Sequence, residues 1–367
     1  MHFSVLAKLA LAGLVTLVSA APTIQRGVSA PVTHLPDGLP FPSPEQIRKI
    51  EKKAHGTLPN TPLPDHISEE GIVNLQLIAF NELMEVAFFT QLLKNITNKV
   101  PGYDIGDEKN RDFAIQSLRA ILGTTNFDEQ QEELHMLSAN LALEHVGVEP
   151  ILPCEYVFPV SSYFDAIVFI TKVTDLVMGT LQDVVKRFAI GGDFDLAHII
   201  ASVIGNEGEQ TGWYRMQQGR IPSELPFLTA SALSFAFTAI QEVTVPGTCP
   251  NKDTIPLMTY APLYVLTPPG PETTNITVAF KPDELDEEST AGSLWMTYTN
   301  QQNFPIVVTL QIDSVDDVII AEALFPYDEH LMNGFTLAAV TRSPGPFENA
   351  EEVAKATVAA PGLIIVK

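Results

Sequence analysis

Two four-residue stretches carry the residue types that do metal chemistry: Glu132-Glu133-Leu134-His135 and, further along, Glu207-Gly208-Glu209-Gln210. Residues three apart share a helix face, so Glu132 and His135 turn a carboxylate and an imidazole to the same side. Glu207 and Gln210 repeat that spacing. Carboxylates and imidazoles pointing inward from facing helices are what a bundle uses to hold two iron or manganese ions. An earlier helical stretch offers Glu82 and Glu85, either of which would enter the seam beside Leu83 and Val86. Glu133 would point around its helix, and Glu209 toward the surface. Gln210 supplies a neutral amide where a second imidazole is needed. The remaining helical stretch offers only Asp175 near its middle, one methylene shorter than glutamate, and Asp183. The candidate metal set is therefore Glu82, Glu85, Glu132, His135, Asp175, Glu207 and Gln210. A shell of this kind is expected to hold one iron or manganese ion, to hold two weakly, or to hold none and persist through hydrogen bonds.

The elements that must position these residues are legible from periodicity. Ser68 caps a helix expected over 68–98, whose apolar face runs through Leu75, Ile78, Ala79, Leu83, Val86 and Phe89 until Val100-Pro101-Gly102 stops it. A second helix is expected over 110–144, with Gly123 and Asn126 as weak points. A long connection through Pro153, Cys154 and Pro159 leads to a third over 162–188. Gly191-Gly192-Asp193 then turns into a fourth over 194–216, and apolar spacing suggests a fifth over 226–243. Helix pairs with a longer central connection describe a ferritin-like four-helix bundle.

After Cys249 the pattern changes to short β-prone runs divided by proline, glycine and acidic clusters. Strands are expected at 263–266, 274–280, 294–298, 306–312, 335–340 and 362–366, forming a small antiparallel sandwich of six to eight strands. Asp313, Asp316 and Asp317 lack the glycine and terminal glutamate of an EF-hand loop and read as a turn. Tyr260, Tyr264, Trp295 and Tyr298 are candidate platforms for a glycan, with core packing as the alternative. The chain thus divides into a signal peptide (1–20), a proline-rich arm (21–64), a helical domain (65–245) and a β domain (250–367). The signal reads from an apolar run ending in Val18-Ser19-Ala20.

Secretion makes Cys154 and Cys249, the only two cysteines, an expected disulfide, and makes Asn95 and Asn275 expected glycan acceptors. No segment beyond the signal holds eighteen uninterrupted apolar residues, so no membrane span is expected. A formal net charge of -23 excludes nucleic acid and anionic membrane as partners. A cell-wall polysaccharide or a protein remains as a partner, and the chain is expected to be a monomer or dimer.

Three stretches carry a resemblance: Asn81-Glu82-Leu83-Met84-Glu85-Val86-Ala87-Phe88-Phe89, Glu132-Glu133-Leu134-His135, and Asn206-Glu207-Gly208-Glu209-Gln210-Thr211-Gly212-Trp213-Tyr214-Arg215. In these the chain resembles the fungal secreted ferritin-like proteins, described as stress-response or late-sexual-development proteins, which are distantly similar to plant desiccation-related proteins. The resemblance implies a ferritin-like bundle over about half of the chain, a stress or developmental association and a degenerate, non-catalytic metal centre. The alternatives are a di-iron or di-manganese oxidoreductase acting on oxygen or peroxide, and a structural protein binding cell-wall glycan.

Overall fold

The computed structural model describes residues 31–32, 34–122, 131–281, 293–315 and 317–366. The expected signal segment, Gly123, Asn126 and Asp316 lie outside the described residues. Part of the proline-rich arm is helical: α1 (Pro44–Lys53) starts at a capping box in which Ser43 and Gln46 satisfy each other's backbone donors. Fully buried Ile50 anchors α1 to the rest of the protein, and the Leu58 amide donates to Glu51 at 3.2 Å.

Five further helices follow: α2 (Glu69–Thr97), α3 (Glu108–Leu122), α4 (Gln131–His145), α5 (Tyr163–Gly191) and α6 (Phe194–Gln217). A shorter α7 (Leu233–Gln241) completes the helical part. The helix expected over 110–144 is thus α3 and α4, with 123–130 between them outside the described residues. α2 lies at the centre, packed by α3, α4, α5 and α7, while α5 and α6 pack along each other. By length and hydropathy α2 would suffice to cross a membrane, but most of it is buried among these neighbours.

Ser68 caps α2 as its sequence position suggests. Its hydroxyl accepts from the Gly71 amide at 2.9 Å and donates to Asp193 at 2.5 Å. Asp193 sits in the α5–α6 turn, so one carboxylate fastens that turn to the positive end of α2. The turn itself needs Gly192, whose φ of 87° is left-handed. The connection from α4 to α5 is extended and closely tied. Asn140 exchanges two hydrogen bonds with the Ile151 backbone at 2.9 and 3.0 Å, and Val157 and Val245 pair with the Val243 and Glu155 carbonyls. A disulfide joins Cys154 to Cys249. Closing a loop with a sequence separation of 95 removes unfolded-state entropy worth about 5 kcal/mol. The bridge is compatible with an extracellular protein.

The C-terminal part is one seven-stranded sheet and not a sandwich. Its strands are β1 (Tyr264–Val265), β2 (Thr274–Phe280), β3 (Trp295–Asn300), β4 (Ile306–Val315), β5 (Ile319–Phe325), β6 (Gly334–Thr341) and β7 (Thr357–Val366), with short helices α8 (Tyr327–His330) and α9 (Ala350–Ala356) between the last three. The order is β1-β2-β5-β4-β3-β6-β7, antiparallel throughout. Two stacked sheets would need a break in the ladder. Here β4 pairs with β3 through Ile306, Val307, Val308 and Thr309 and with β5 from Leu310 to Val315, with a register shift between Ile312 and Ser314, so one strand carries the ladder from β3 to β5. The edges then approach each other, since the Ala360 amide donates to the Ala261 carbonyl at 2.9 Å. The result is a nearly closed, barrel-like sheet filled by Phe280, Met296, Tyr298 and Phe325. Buried Tyr298 is core and not a glycan platform, and the Tyr260 hydroxyl is taken by the Ala354 carbonyl at 2.9 Å.

The helical part and the sheet meet at the segment before α7. A helix beginning at Pro226 does not form because that segment runs extended between α5 and the sheet. Thr229 donates to the Phe335 carbonyl at 2.6 Å, and Ala230 to the Gln301 carbonyl at 3.1 Å. Gly179 of α5 permits the close approach, because any Cβ there would stand inside van der Waals contact of the Thr229 carbonyl oxygen. Gly179→Ala is therefore expected to destabilise the protein by about 1–3 kcal/mol, read as an earlier urea midpoint at unchanged slope. An unchanged midpoint would show that the junction gives way at no cost.

Candidate metal centre

The middle of α2 is buried on every side, so polar residues there are withdrawn from water by their position on the helix. Glu82 and Glu85 are both fully buried. α4 brings Glu132 and His135 to the same interior, and α6 brings Glu207 and Gln210. His135 Nδ1 stands 3.1 Å from Glu132, 3.6 Å from Glu207 and 3.7 Å from Glu82. One ligand atom from each of Glu82, Glu132, His135 and Glu207 lies within 4.8 Å of the other three.

This arrangement is electrostatically costly by itself. Burial pushes the Glu82 carboxyl well above its usual range, with the Glu132 and Glu207 charges adding to the effect and His135 opposing it. Burial and the Glu132 charge push Glu207 up to about 7, again against His135. Glu85 is raised by burial and by the charges of Glu207, Glu132 and Glu82. Burial alone would lower the imidazole of His135, but the facing carboxylates of Glu132, Glu207 and Glu82 hold it well above its usual value. Among the described residues no oxygen of Glu82, Glu85 or Glu207 has a hydrogen-bond partner at normal distance; His135 Nδ1 stands 3.7 Å from Glu82 and 3.6 Å from Glu207, and the Asn81 side chain lies beside Glu85. Buried carboxylate oxygens left in this condition cost several kcal/mol each unless a proton or a cation meets them.

The residues fit a metal ion. Three carboxylates and an imidazole are a hard-to-borderline donor set that suits divalent manganese, iron or zinc. Around one ion with bonds about 2.1 Å long, neighbouring donors stand roughly 3.0–3.4 Å apart. The separations from His135 fall at or just beyond that range.

The other candidates are arranged differently. The Gln210 amide nitrogen donates to Glu132 Oε1 at 2.5 Å, and its oxygen accepts the Tyr214 hydroxyl at 2.8 Å. The network thus turns the donor end of Gln210 toward the carboxylates, which makes it a partner of a ligand and not a ligand. Asp175 stands outside the group of four because Arg215 holds it at 2.9 Å. Arg215 also donates to the Pro222 carbonyl and faces Glu224, so the ion pair fastens the segment after α6 to α5. Nothing in the spacing of Asp175 and Arg215, forty residues apart on separate helices, announced that pairing. Glu85 is buried next to the centre without belonging to the four.

Glu133 does point away from them, but not into water. It is fully buried, without a hydrogen-bond partner among the described residues, and raised by burial and by the Asp37 charge, with Lys53 opposing. Asp37 and Lys53 face it from the arm, and neither lies near Glu133 in the sequence. Glu209 is exposed as expected.

Asn275 is exposed on β2, whereas Asn95 is largely buried within α2, at 9% exposure. A glycan at Asn95 would have to displace the packing of that helix, which the sequon alone does not register. No protein-family model matches the chain, and no curated protein matches it either.

Proposed function

We propose that this is a secreted metal-binding protein on a ferritin-like helical bundle, holding one divalent first-row transition ion through Glu82, Glu132, His135 and Glu207. The observation that carries the reading is the convergence of these donors from three helices while, among the described residues, the oxygens of Glu82 and Glu207 have no hydrogen-bond partner outside the group at normal distance. Helices α2, α4, α5 and α6 with a long connection between α4 and α5 support the ferritin-like arrangement. The disulfide and the apolar N-terminal run support secretion. The resemblance to stress-response and sexual-development proteins supplies the biological setting.

The four donors support a binding role. A cavity of about 120 Å³ lies between the arm and helices α4 and α6, lined by Leu58, Pro62, Ser138, Leu141 and Leu196 among others, and by none of the four donors. An ion held by carboxylates and imidazole acts here as a cross-link between α2, α4 and α6.

Elemental analysis of untagged protein tests this. After anaerobic loading with Fe(II) or Mn(II) and desalting, about one ion per chain is expected in the wild type. Glu132→Ala and His135→Ala are expected to lose it, and Glu209→Ala to keep it. Equal retention in all three variants would place the metal on the acidic surface and defeat the proposal.

A further inference from the structure

The two halves of the centre share a spacing but not a chemistry. Glu132 is followed three residues later by an imidazole that faces the shared interior, and Glu207 by an amide that does not offer its oxygen there. The amide nitrogen of Gln210 has three oxygens within hydrogen-bond distance: Glu132 Oε1 at 2.5 Å, the Gln131 side chain at 3.3 Å and the Asn206 side chain at 3.4 Å. Its oxygen is occupied by the Tyr214 hydroxyl, one helical turn further along α6. Tyr214 is itself fully buried and stacked at 6.2 Å on Phe89 of α2, so the hydroxyl cannot swing away without disturbing that packing. The hydroxyl has one proton to give, and giving it to Gln210 leaves the amide a single orientation.

We infer that Tyr214 and Gln210 form a relay that restricts the centre to one ion. The relay covers Glu132 Oε1 with an N–H donor and leaves Oε2 toward His135, so Glu132 serves one ion and cannot bridge to another. It also fills with a donor the position from which a second imidazole would bind. Glu85 is the group left over: a buried carboxylate outside the group of four, facing the charges of Glu207 and Glu132 with only the Asn81 side chain to oppose them among the described residues. Gln210 and Tyr214 are positioning residues on this account, since they act through Glu132. The inference rests on the single-ion reading and adds to it what sets the number of ions.

Mn(II) titration of the metal-free full chain, followed by electron paramagnetic resonance, tests it. The wild type is expected to bind one Mn(II) with the six-line spectrum of an isolated ion. Gln210→His is expected to bind two, with a spin-coupled spectrum, because it offers an imidazole, frees Glu132 Oε1 and brings Glu85 into use. Tyr214→Phe keeps the aromatic packing and is expected to retain one ion at about 10–100-fold weaker affinity, the usual effect of losing a group that orients a ligand. In the Gln210→His background the same tyrosine change should alter affinity far less.

A folded Gln210→His protein with one ion and an unchanged spectrum overturns the inference while leaving metal binding intact. Wild-type affinity in Tyr214→Phe does the same, and it decides the matter if Gln210→His does not fold. A wild type that binds no Mn(II) removes the proposed function and this inference together.

Discussion

Without divalent metal, the urea midpoint of the protein is expected to fall as pH rises from 5 to 8, and Mn(II) is expected to restore it at pH 8. Glu207 is the clearest source. Its folded value of about 7 lies above the ordinary 4.5, so between those two pH values the folded chain keeps a proton that the unfolded chain has released. Rising pH across that window therefore favours the unfolded state, by on the order of 3 kcal/mol for this one group. His135 adds in the same direction. Its raised value makes its contribution fully present below 6.5 and lost as pH climbs through the folded value.

Mn(II) takes the place of those protons, so its affinity should weaken with acidity and its stabilising effect should be largest at pH 8. At a thousandfold excess over the dissociation constant it would add about 4 kcal/mol. Glu207→Gln should flatten the metal-free pH dependence. A midpoint independent of pH, or Mn(II) stabilisation equal at pH 5 and pH 8, would mean that the buried cluster is not the titrating unit.

Arg215→Ala should destabilise the protein by about 3–5 kcal/mol, the usual cost of leaving one partner of a buried ion pair behind. Asp175 is pushed up to about 6 because burial outweighs the attraction of Arg215 and Arg220, while Glu224 adds to the rise. Removing Arg215 takes away the largest opposing charge, so the carboxyl will rise further and take a proton at neutral pH. The variant should consequently lose more stability at pH 8 than at pH 5, since only at the higher pH must the unpaired carboxylate be charged in the folded state. The double variant Asp175→Leu/Arg215→Leu should recover most of the loss, because matched apolar groups do not need the pair. Urea unfolding of the three proteins at both pH values reads this out. Recovery that fails would assign the loss to the Pro222 carbonyl and Glu224 contacts of Arg215 and not to Asp175.

The helices that build the centre were readable because their information is local. Ser68 and Ser162 cap α2 and α5 where the sequence places those starts, and Gly192 ends α5. Three-residue spacing put Glu132 with His135 on one face, and the cysteine count left a single bridge. β5 was less readable: Ile319-Ile320-Ala321-Glu322-Ala323-Leu324-Phe325 mixes strand and helix formers, and only pairing with both β2 and β4 makes it a strand. The extended run before α7 has the apolar spacing of a helix and is drawn out by hydrogen bonds to the sheet.

Residue types and spacing on single helices by themselves determined that carboxylates and one imidazole would face a common interior. Which of them share a centre depends on how separate helices dock, and only the tertiary structure decided that. It gave Asp175 to Arg215, turned the amide of Gln210 by way of Tyr214, left Glu85 beside the four donors, and covered Glu133 with the arm. Apart from the Tyr214–Gln210 bond within α6, these outcomes depend on groups far apart in the chain. Helical periodicity fixes the direction of a side chain about its own axis and carries no information about what stands opposite.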